Sequence, residues 1–166
     1  MCDIGLLNAM YDEALIYKIL RDDADVNFGA VYENFIAQEL NAHGYSGFYY
    51  NSRQYGEVDF LIQEAQKVIP IEVKSGKSYT KHKALDHVMS NEVYNIDYGI
   101  VFSNDNFSHE DVAVAEKTSR DYNFKDLYSL YYLPIYMIMF IDKSKIEVPK
   151  PKLDNITNAI NKLKAD

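Results

Sequence analysis

The stretch Gly56–Gly76, which reads GEVDFLIQEAQKVIPIEVKSG, places charged residues inside two strand-like runs and constrains the fold most. Apolar and polar residues alternate in the first run, and β-branched residues dominate the second, so we predict a β-hairpin that turns at Glu64–Lys67. Residues two apart share a strand face, and Glu72 and Lys74 are therefore expected to project together. Antiparallel pairing of the two runs brings Asp59 to the same end of the sheet.

Two carboxylates and an ammonium in one place are costly unless they pair or bind a cation. A hard cation suits this set, because Mg²⁺ takes one or two carboxylates and completes its shell with water and phosphate. We predict a Mg²⁺ site, with Mn²⁺ as a substitute, whose ligands are Asp59, Glu72 and the carbonyl of Val73. Lys74 is expected to orient an attacking water or to neutralise charge on a phosphate.

Two further acids are candidates for the same site. Glu33 lies in a segment with apolar residues at helical spacing, and it adds a carboxylate through water if that helix packs beside the hairpin. Glu57 shares a strand face with Asp59 and is a competing ligand. The alternative is an ordinary ion pair between Glu72 and Lys74 on a strand surface, with Asp59 as a solvated neighbour.

The remaining pattern predicts helices alternating with strands. Helices are expected over Leu6–Leu20, Ala30–Ala42, Lys83–Tyr94 and Leu133–Phe140, and strands over Tyr45–Asn51, Tyr98–Phe102 and Leu127–Tyr131. His109-Glu110-Asp111 is typical of an exposed turn that caps a helix rather than of a metal site. This order predicts an α/β fold with a central mixed sheet flanked by helices. We place one domain over 1–148 and a linker with a tail helix over 149–166.

Composition limits the class of protein. The chain has 166 residues and a net charge of −8, which suits one domain and argues against a basic protein that coats nucleic acid. A single cysteine, Cys2, excludes an intramolecular disulfide framework and fits a reducing compartment. The longest apolar stretch, Tyr128–Ile141, is short for a membrane span and contains Pro134. With no secretory signal visible, we expect a cytoplasmic protein with no membrane partner.

An acid at a strand end, then about a dozen residues, then an acid, an apolar residue and a lysine resembles the PD-(D/E)xK nuclease superfamily. Here the motif reads Val58-Asp59 and Glu72-Val73-Lys74, with valine where the superfamily usually has proline. The segment Gly29–Phe35 is similar to the superfamily's leading helix, and Glu33 to its acidic residue. The resemblance implies a restriction-endonuclease-like fold, with Asp59 and Glu72 as metal ligands, Lys74 at the attacking water and Glu33 as an accessory.

Four blocks together are similar to a narrower family, the uncharacterised C-terminal domain of prokaryotic AAA-type ATPases. They are Cys2–Leu7, Glu33–Leu40, Glu57–Leu61 and Pro70–Gly76, and Leu133–Tyr136 resembles that family's closing segment. No G-x-x-x-x-G-K-[ST] loop occurs in the chain, so ATP hydrolysis would belong to an ATPase domain on the same polypeptide. We accordingly expect the chain to be the C-terminal piece of a longer protein.

Two functions from different classes follow. The first is a Mg²⁺-dependent phosphodiesterase that acts on DNA, which the complete acid–acid–lysine set favours. The second is a catalytically inactive module of the same fold that binds nucleic acid or a protein partner and regulates the attached ATPase. The acidic net charge and the absence of a basic, aromatic strip favour the second.

Overall fold

The computed structural model describes Gly5 and residues 9–10, 13–21, 28–64, 66–76, 78–117 and 122–141. The helices are α1 (Glu13–Leu20), α2 (Gly29–Ala42) and α3 (Lys83–Met89), with short 3-10 helices at Glu92–Tyr94 and Ile135–Phe140. The strands are β1 (Phe48–Ser52), β2 (Gly56–Glu64), β3 (Lys67–Val73), β4 (Tyr98–Ser103), β5 (Ser108–Lys117) and β6 (Tyr122–Pro134). The predicted boundary at 148 and the predicted tail helix lie outside the described residues.

The strands form one mixed sheet in the order β1-β2-β3-β4-β6-β5. The pairs β3–β4 and β4–β6 are parallel. The pairs β1–β2, β2–β3 and β5–β6 are antiparallel. Helix α2 and the second 3-10 helix cover one face, and α3 covers the other. The predicted α/β fold, a mixed central sheet flanked by helices, is confirmed.

Alternation along the strands divides the core between the two faces. Ile69, Ile71 and Val73 of β3 pack with α2, whereas Val101 of β4 packs with α3. Gly99 permits a close approach of α3 to the sheet, because a Cβ there would lie 3.1 Å from Met89 Sδ and 3.3 Å from Leu130 Cδ2.

The C-terminal half differs from the prediction at two places. The helix predicted over Leu133–Phe140 is confirmed only in part, since β6 continues to Pro134 and a 3-10 helix, not an α-helix, covers Ile135–Phe140. Pro134 is extended (φ −53°, ψ 138°) and lacks a backbone N–H, which suits it to the end of a strand rather than to the interior of a helix. The predicted strand over Leu127–Tyr131 is part of the longer β6.

The predicted helix cap at His109-Glu110-Asp111 is also wrong, because these residues lie in β5. They pair with β6 at the edge of the sheet, where Asp111 Oδ1 accepts a hydrogen bond from Ser129 Oγ at 2.8 Å. The ladder with β6 pairs one side of the β5 backbone, and an edge strand tolerates charged side chains.

Among the described residues, no helix combines the length and the apolar character needed to cross a bilayer.

Candidate functional site

The β2–β3 hairpin is present, and its two ends are built differently. Its ladder runs from the pair Glu64–Lys67 at the turn to the pair Phe60–Ile71. From Ile71 onward β3 pairs in parallel with β4, and the Lys74 N–H donates to the Phe102 carbonyl at 2.8 Å. The predicted site residues follow directly after the Phe60–Ile71 pair, at the end where the hairpin opens.

A β-bulge lies at this opening. Between the pairs Phe48–Leu61 and Tyr50–Val58, β1 contributes one residue and β2 contributes two, of which Asp59 is the first. Val58 and Leu61 consequently both pack on the α3 side of the sheet, although they are three residues apart. Bulges change the direction of side chains locally, and this one determines where the Asp59 carboxylate lies.

Asp59 is anchored to the neighbouring strand by its side chain. Its Oδ2 atom accepts a hydrogen bond from the Val73 N–H at 2.6 Å. Beyond the last β2–β3 ladder pair, the Val73 N–H therefore donates to a side-chain carboxylate of β2. Charge-assisted bonds of this length are strong, so Asp59 is held against the strand that carries Glu72 and Lys74.

Glu72 and Lys74 project together, as the strand period predicts. Lys74 Nζ lies 2.6 Å from Glu72 Oε1, and the side chains are 30% and 7% exposed respectively. The second oxygen, Glu72 Oε2, is buried and has no hydrogen-bond partner within the described part of the chain. The pair is therefore not a solvated surface ion pair, because its acidic member is inside the protein.

Burial and neighbouring charges raise the pKa of both carboxyls. For Glu72, burial raises the pKa most; the hydrogen bond from Lys74 lowers it and the Asp59 charge raises it. For Asp59, burial again raises the pKa most, against the lowering effects of the Val73 N–H and the Lys74 charge. Both groups therefore pay a desolvation cost that one lysine does not remove, and a bound cation would offset it.

Glu33 reaches the same cluster from α2. The pKa of this exposed side chain is raised by partial burial and then by the charges of Asp59 and Glu57, while Lys74 lowers it. Helix α2 thus packs beside the hairpin opening, as the accessory role of Glu33 requires. Glu57, the competing candidate, is exposed and accepts a hydrogen bond from Asn51 Nδ2 at 3.2 Å.

The cluster contains few preassembled metal ligands. Within the ranges that the structure describes, no three histidine, cysteine or carboxylate side chains are grouped closely enough to hold a metal ion. Mg²⁺ requires only one or two protein carboxylates with water and substrate oxygens, and Asp59 and Glu72 as metal ligands stay a prediction. Val73 contributes its N–H to Asp59, and its carbonyl as a ligand stays a prediction.

One contact beside the site has no signal in the sequence. Asn104, immediately after β4, donates to the Tyr32 hydroxyl at 2.9 Å across a separation of 72 residues. This bond ties the loop after β4 to the turn of α2 that carries Glu33. A single asparagine after a strand has many ordinary uses, so only the three-dimensional fold reveals this one.

Comparison with known protein families places most of the chain in one family. Residues 28–134, well over half of the chain, match the family model described as a domain of unknown function (DUF4143). No curated protein matches the chain. The matched range contains Glu33, Asp59, Glu72 and Lys74, the whole cluster at the hairpin opening. The chain belongs to the DUF4143 family.

Proposed function

We propose that this domain is a Mg²⁺-dependent phosphodiesterase that cleaves DNA. The observation that carries the proposal is the convergence of Asp59, Glu72 and Lys74 at the hairpin opening, with Glu33 in electrostatic reach. An ion pair kept only for stability gains little by burying its carboxylate, since the desolvation penalty often exceeds the attraction. A buried acid pair with a neighbouring lysine is instead the arrangement expected of a cation and phosphate site.

The residues present fit a hard cation. Glu72 Oε2 is a buried carboxylate oxygen with no hydrogen-bond partner in the described chain, and Asp59 is fixed next to it by the Val73 N–H. The raised pKa of both carboxyls indicates that an added positive charge would be stabilising. When bound there, Mg²⁺ supplies Lewis-acid polarisation of a phosphoryl oxygen and acidification of a water.

Lys74 has the position for the charge-neutralising role. Its ammonium is partly exposed, while its hydrogen bond to Glu72 Oε1 fixes its direction at the edge of the cluster. From there it orients a water for attack and stabilises the negative charge that develops on the phosphate oxygens. Glu33, which is exposed on α2, acts through water as an accessory acid.

Resemblance supports the wider assignment. The motif Asp59, Glu72-Val73-Lys74 on a mixed α/β sheet is similar to the PD-(D/E)xK superfamily, whose members hydrolyse phosphodiester bonds. We extend the proposal to an ATPase domain on the same polypeptide, on the strength of the similarity to C-terminal domains of AAA-type ATPases. ATP hydrolysis would then drive or regulate the access of DNA to this site.

A nicking assay with matched lysine variants tests the proposal. Supercoiled plasmid is incubated with the protein and millimolar Mg²⁺ or Mn²⁺, with EDTA as the blank. Lys74→Ala is expected to abolish nicking, whereas Lys67→Ala, at the other end of β3, leaves it unchanged. Absence of metal-dependent nicking in the wild type, or equal loss in both variants, contradicts the proposal.

A second candidate, a catalytically inactive module that binds a partner, is favoured by an apolar groove. A cavity of about 320 Å³ near the hairpin turn is lined by apolar and tyrosine side chains, among them Leu61, Val68 and Tyr94. Its rim includes Val93, which is 85% exposed. This candidate predicts that Val93→Asp weakens binding to an ATPase domain of the same polypeptide. Glu72→Gln is expected to leave that binding unchanged. Co-purification of the two domains measures the binding.

A further inference from the structure

A second cluster of titratable side chains joins three elements on the α3 side of the sheet. His82, directly before α3, places Nδ1 2.8 Å from Asp86 Oδ1 and Nε2 2.9 Å from the Tyr132 hydroxyl. The Tyr132 hydroxyl lies 3.3 Å from Glu110 Oε2 of β5. The four side chains therefore form one continuous chain of hydrogen bonds, Asp86–His82–Tyr132–Glu110, which connects the start of α3 to β5 and β6.

The middle of this chain is buried and its ends reach water. The His82 side chain is 5% exposed and Tyr132 is buried, whereas Asp86 is 47% exposed and Glu110 lies on the surface. The ring of Tyr79 packs edge-on against Tyr132, at 5.7 Å between centroids. The inner imidazole and phenol are thus held in place by packing as well as by their bonds.

Counting donors shows which protonation state completes the chain. With both carboxylates ionised, Asp86 only accepts, so His82 Nδ1 must donate to it. Tyr132 has one hydroxyl proton, and Glu110 accepts it. His82 Nε2 must then donate to the Tyr132 oxygen, so both ring nitrogens carry protons and the ring is an imidazolium. A neutral imidazole has one N–H and leaves one of the three bonds unmade.

The other titratable groups around His82 are consistent with this count. Burial, followed by the Glu110 charge, raises the pKa of Tyr132, so its hydroxyl keeps its proton. Burial, with the charges of Asp86 and Glu110, raises the pKa of Tyr128 on the same strand to about 12. Lys81 and Lys83 are the sequence neighbours of His82, and both are exposed to solvent. The two carboxylates are thus the charges that face the ring inside the cluster.

We propose that Asp86, His82, Tyr132 and Glu110 form a proton-operated latch that fixes the start of α3 to β5 and β6 when His82 is an imidazolium. Loss of the proton removes one bond of the chain and loosens α3 on the sheet. Histidine in general changes charge near neutral pH, so a comparison across that range tests the latch. The inference does not depend on nuclease activity, and either can fail without the other.

Amide hydrogen exchange in α3 tests the latch, because it measures local opening directly. Exchange of the Lys83–Met89 amides is compared at about pH 5.5 and about pH 8, after correction for intrinsic rates, which brackets the usual range of histidine titration. We expect protection to be at least about fivefold higher at the acidic pH, since a hydrogen bond to a charged group is lost above it.

Three variants make the test specific. Tyr132→Phe removes the central hydroxyl and is expected to abolish the pH dependence. Glu110→Ala, a surface change, releases the Tyr132 proton to His82 Nε2, so a neutral ring completes the shortened chain and the pH dependence disappears with the fold intact. Tyr98→Phe is the control, because it removes a buried hydroxyl that has no hydrogen-bond partner in the described residues.

The control is expected to retain the wild-type pH dependence. Equal protection of α3 at both pH values in the wild type overturns the latch. A pH dependence that survives in both Tyr132→Phe and Glu110→Ala overturns it as well.

Discussion

The two ends of the β2–β3 hairpin use the same two strands in opposite ways. At the turn end, paired residues run in register, and the ion pair there, between Lys67 and Asp97 directly before β4, is partly exposed to solvent. At the open end the ladder stops, a bulge redirects Asp59, and Glu72 is buried beside Lys74. One end therefore follows the ordinary rules of stability, while the other accepts costs that stability alone does not explain.

This contrast indicates where function lies. Desolvated carboxyls with raised pKa values and an unpartnered oxygen are unfavourable features, and such features persist mainly where a ligand compensates for them. Substitutions at the open end of the hairpin, compared with substitutions at the turn end or in the regular ladder, test this contrast.

The largest expected effect is on nicking activity. Asp59→Asn keeps the shape of the side chain and removes its charge, and it should lower the metal-dependent nicking rate by about 10²–10³-fold, as expected for the loss of one electrostatic contributor. Asp97→Asn makes the same chemical change at the turn end and should leave the rate unchanged. Similar rates for the two variants would remove the functional distinction between the ends.

The second effect is on the free energy of unfolding, and here the larger loss is expected in the regular part of the ladder rather than at the open end. Ile62→Ala, in the regular part of the ladder, should lower the free energy of unfolding by about 2–5 kcal/mol, because Ile62 is completely buried. Glu72→Gln should cost far less or stabilise the fold, since it removes a buried charge. Urea denaturation measures both, and a larger loss for Glu72→Gln would show that the ion pair is structural.

The third effect concerns pH. The pKa values of Asp59 and Glu72 are raised in the folded state. Just above a pH of about 4, the folded protein therefore binds more protons than the unfolded chain. The free energy of unfolding consequently falls as the pH rises through that window. The double variant Asp59→Asn with Glu72→Gln lacks this loss. Its stability relative to the wild type should therefore be more favourable at pH 7 than at pH 4. A difference that is constant or reversed with pH contradicts the burial of charge at this end.

The smallest effect is expected at the turn. Lys67→Ala breaks an ion pair whose side chains are 43% and 32% exposed, so solvent screens the interaction. We expect a loss of at most about 0.5 kcal/mol in the free energy of unfolding, and less at high salt. A loss well above this in thermal or urea denaturation would mean that the turn end also depends on charge.

The hairpin itself was predictable from sequence because it follows a simple period. Alternation in β2 and the β-branched run in β3 define two strands, and the i, i+2 rule places Glu72 and Lys74 together. The bulge at Asp59 was not predictable, since it depends on how β1, a separate segment, pairs with β2. The clustering of Glu72 with Lys74 was therefore predictable, while the geometry that brings Asp59 to Val73 required the structure.

Element ends were predicted less well for local reasons. The helix expected over Lys83–Tyr94 stops at Met89, and the Asn91 side chain accepts the Val93 N–H at 3.0 Å, a local bond that competes with helical pairing. The β5 edge strand was missed because its charged residues mask the alternation that normally identifies a strand. Both errors lie away from the hairpin and did not affect the prediction of the acid cluster.

Calorimetric titration of Mn²⁺ or Mg²⁺ tests the central claim, that the open end of the hairpin is a cation site, most directly. The wild type is compared with the double variant Asp59→Asn, Glu72→Gln under the same buffer conditions. The account predicts one saturable site in the wild type and its loss in the variant. No saturable binding at millimolar metal, or equal binding by the two proteins, would contradict it.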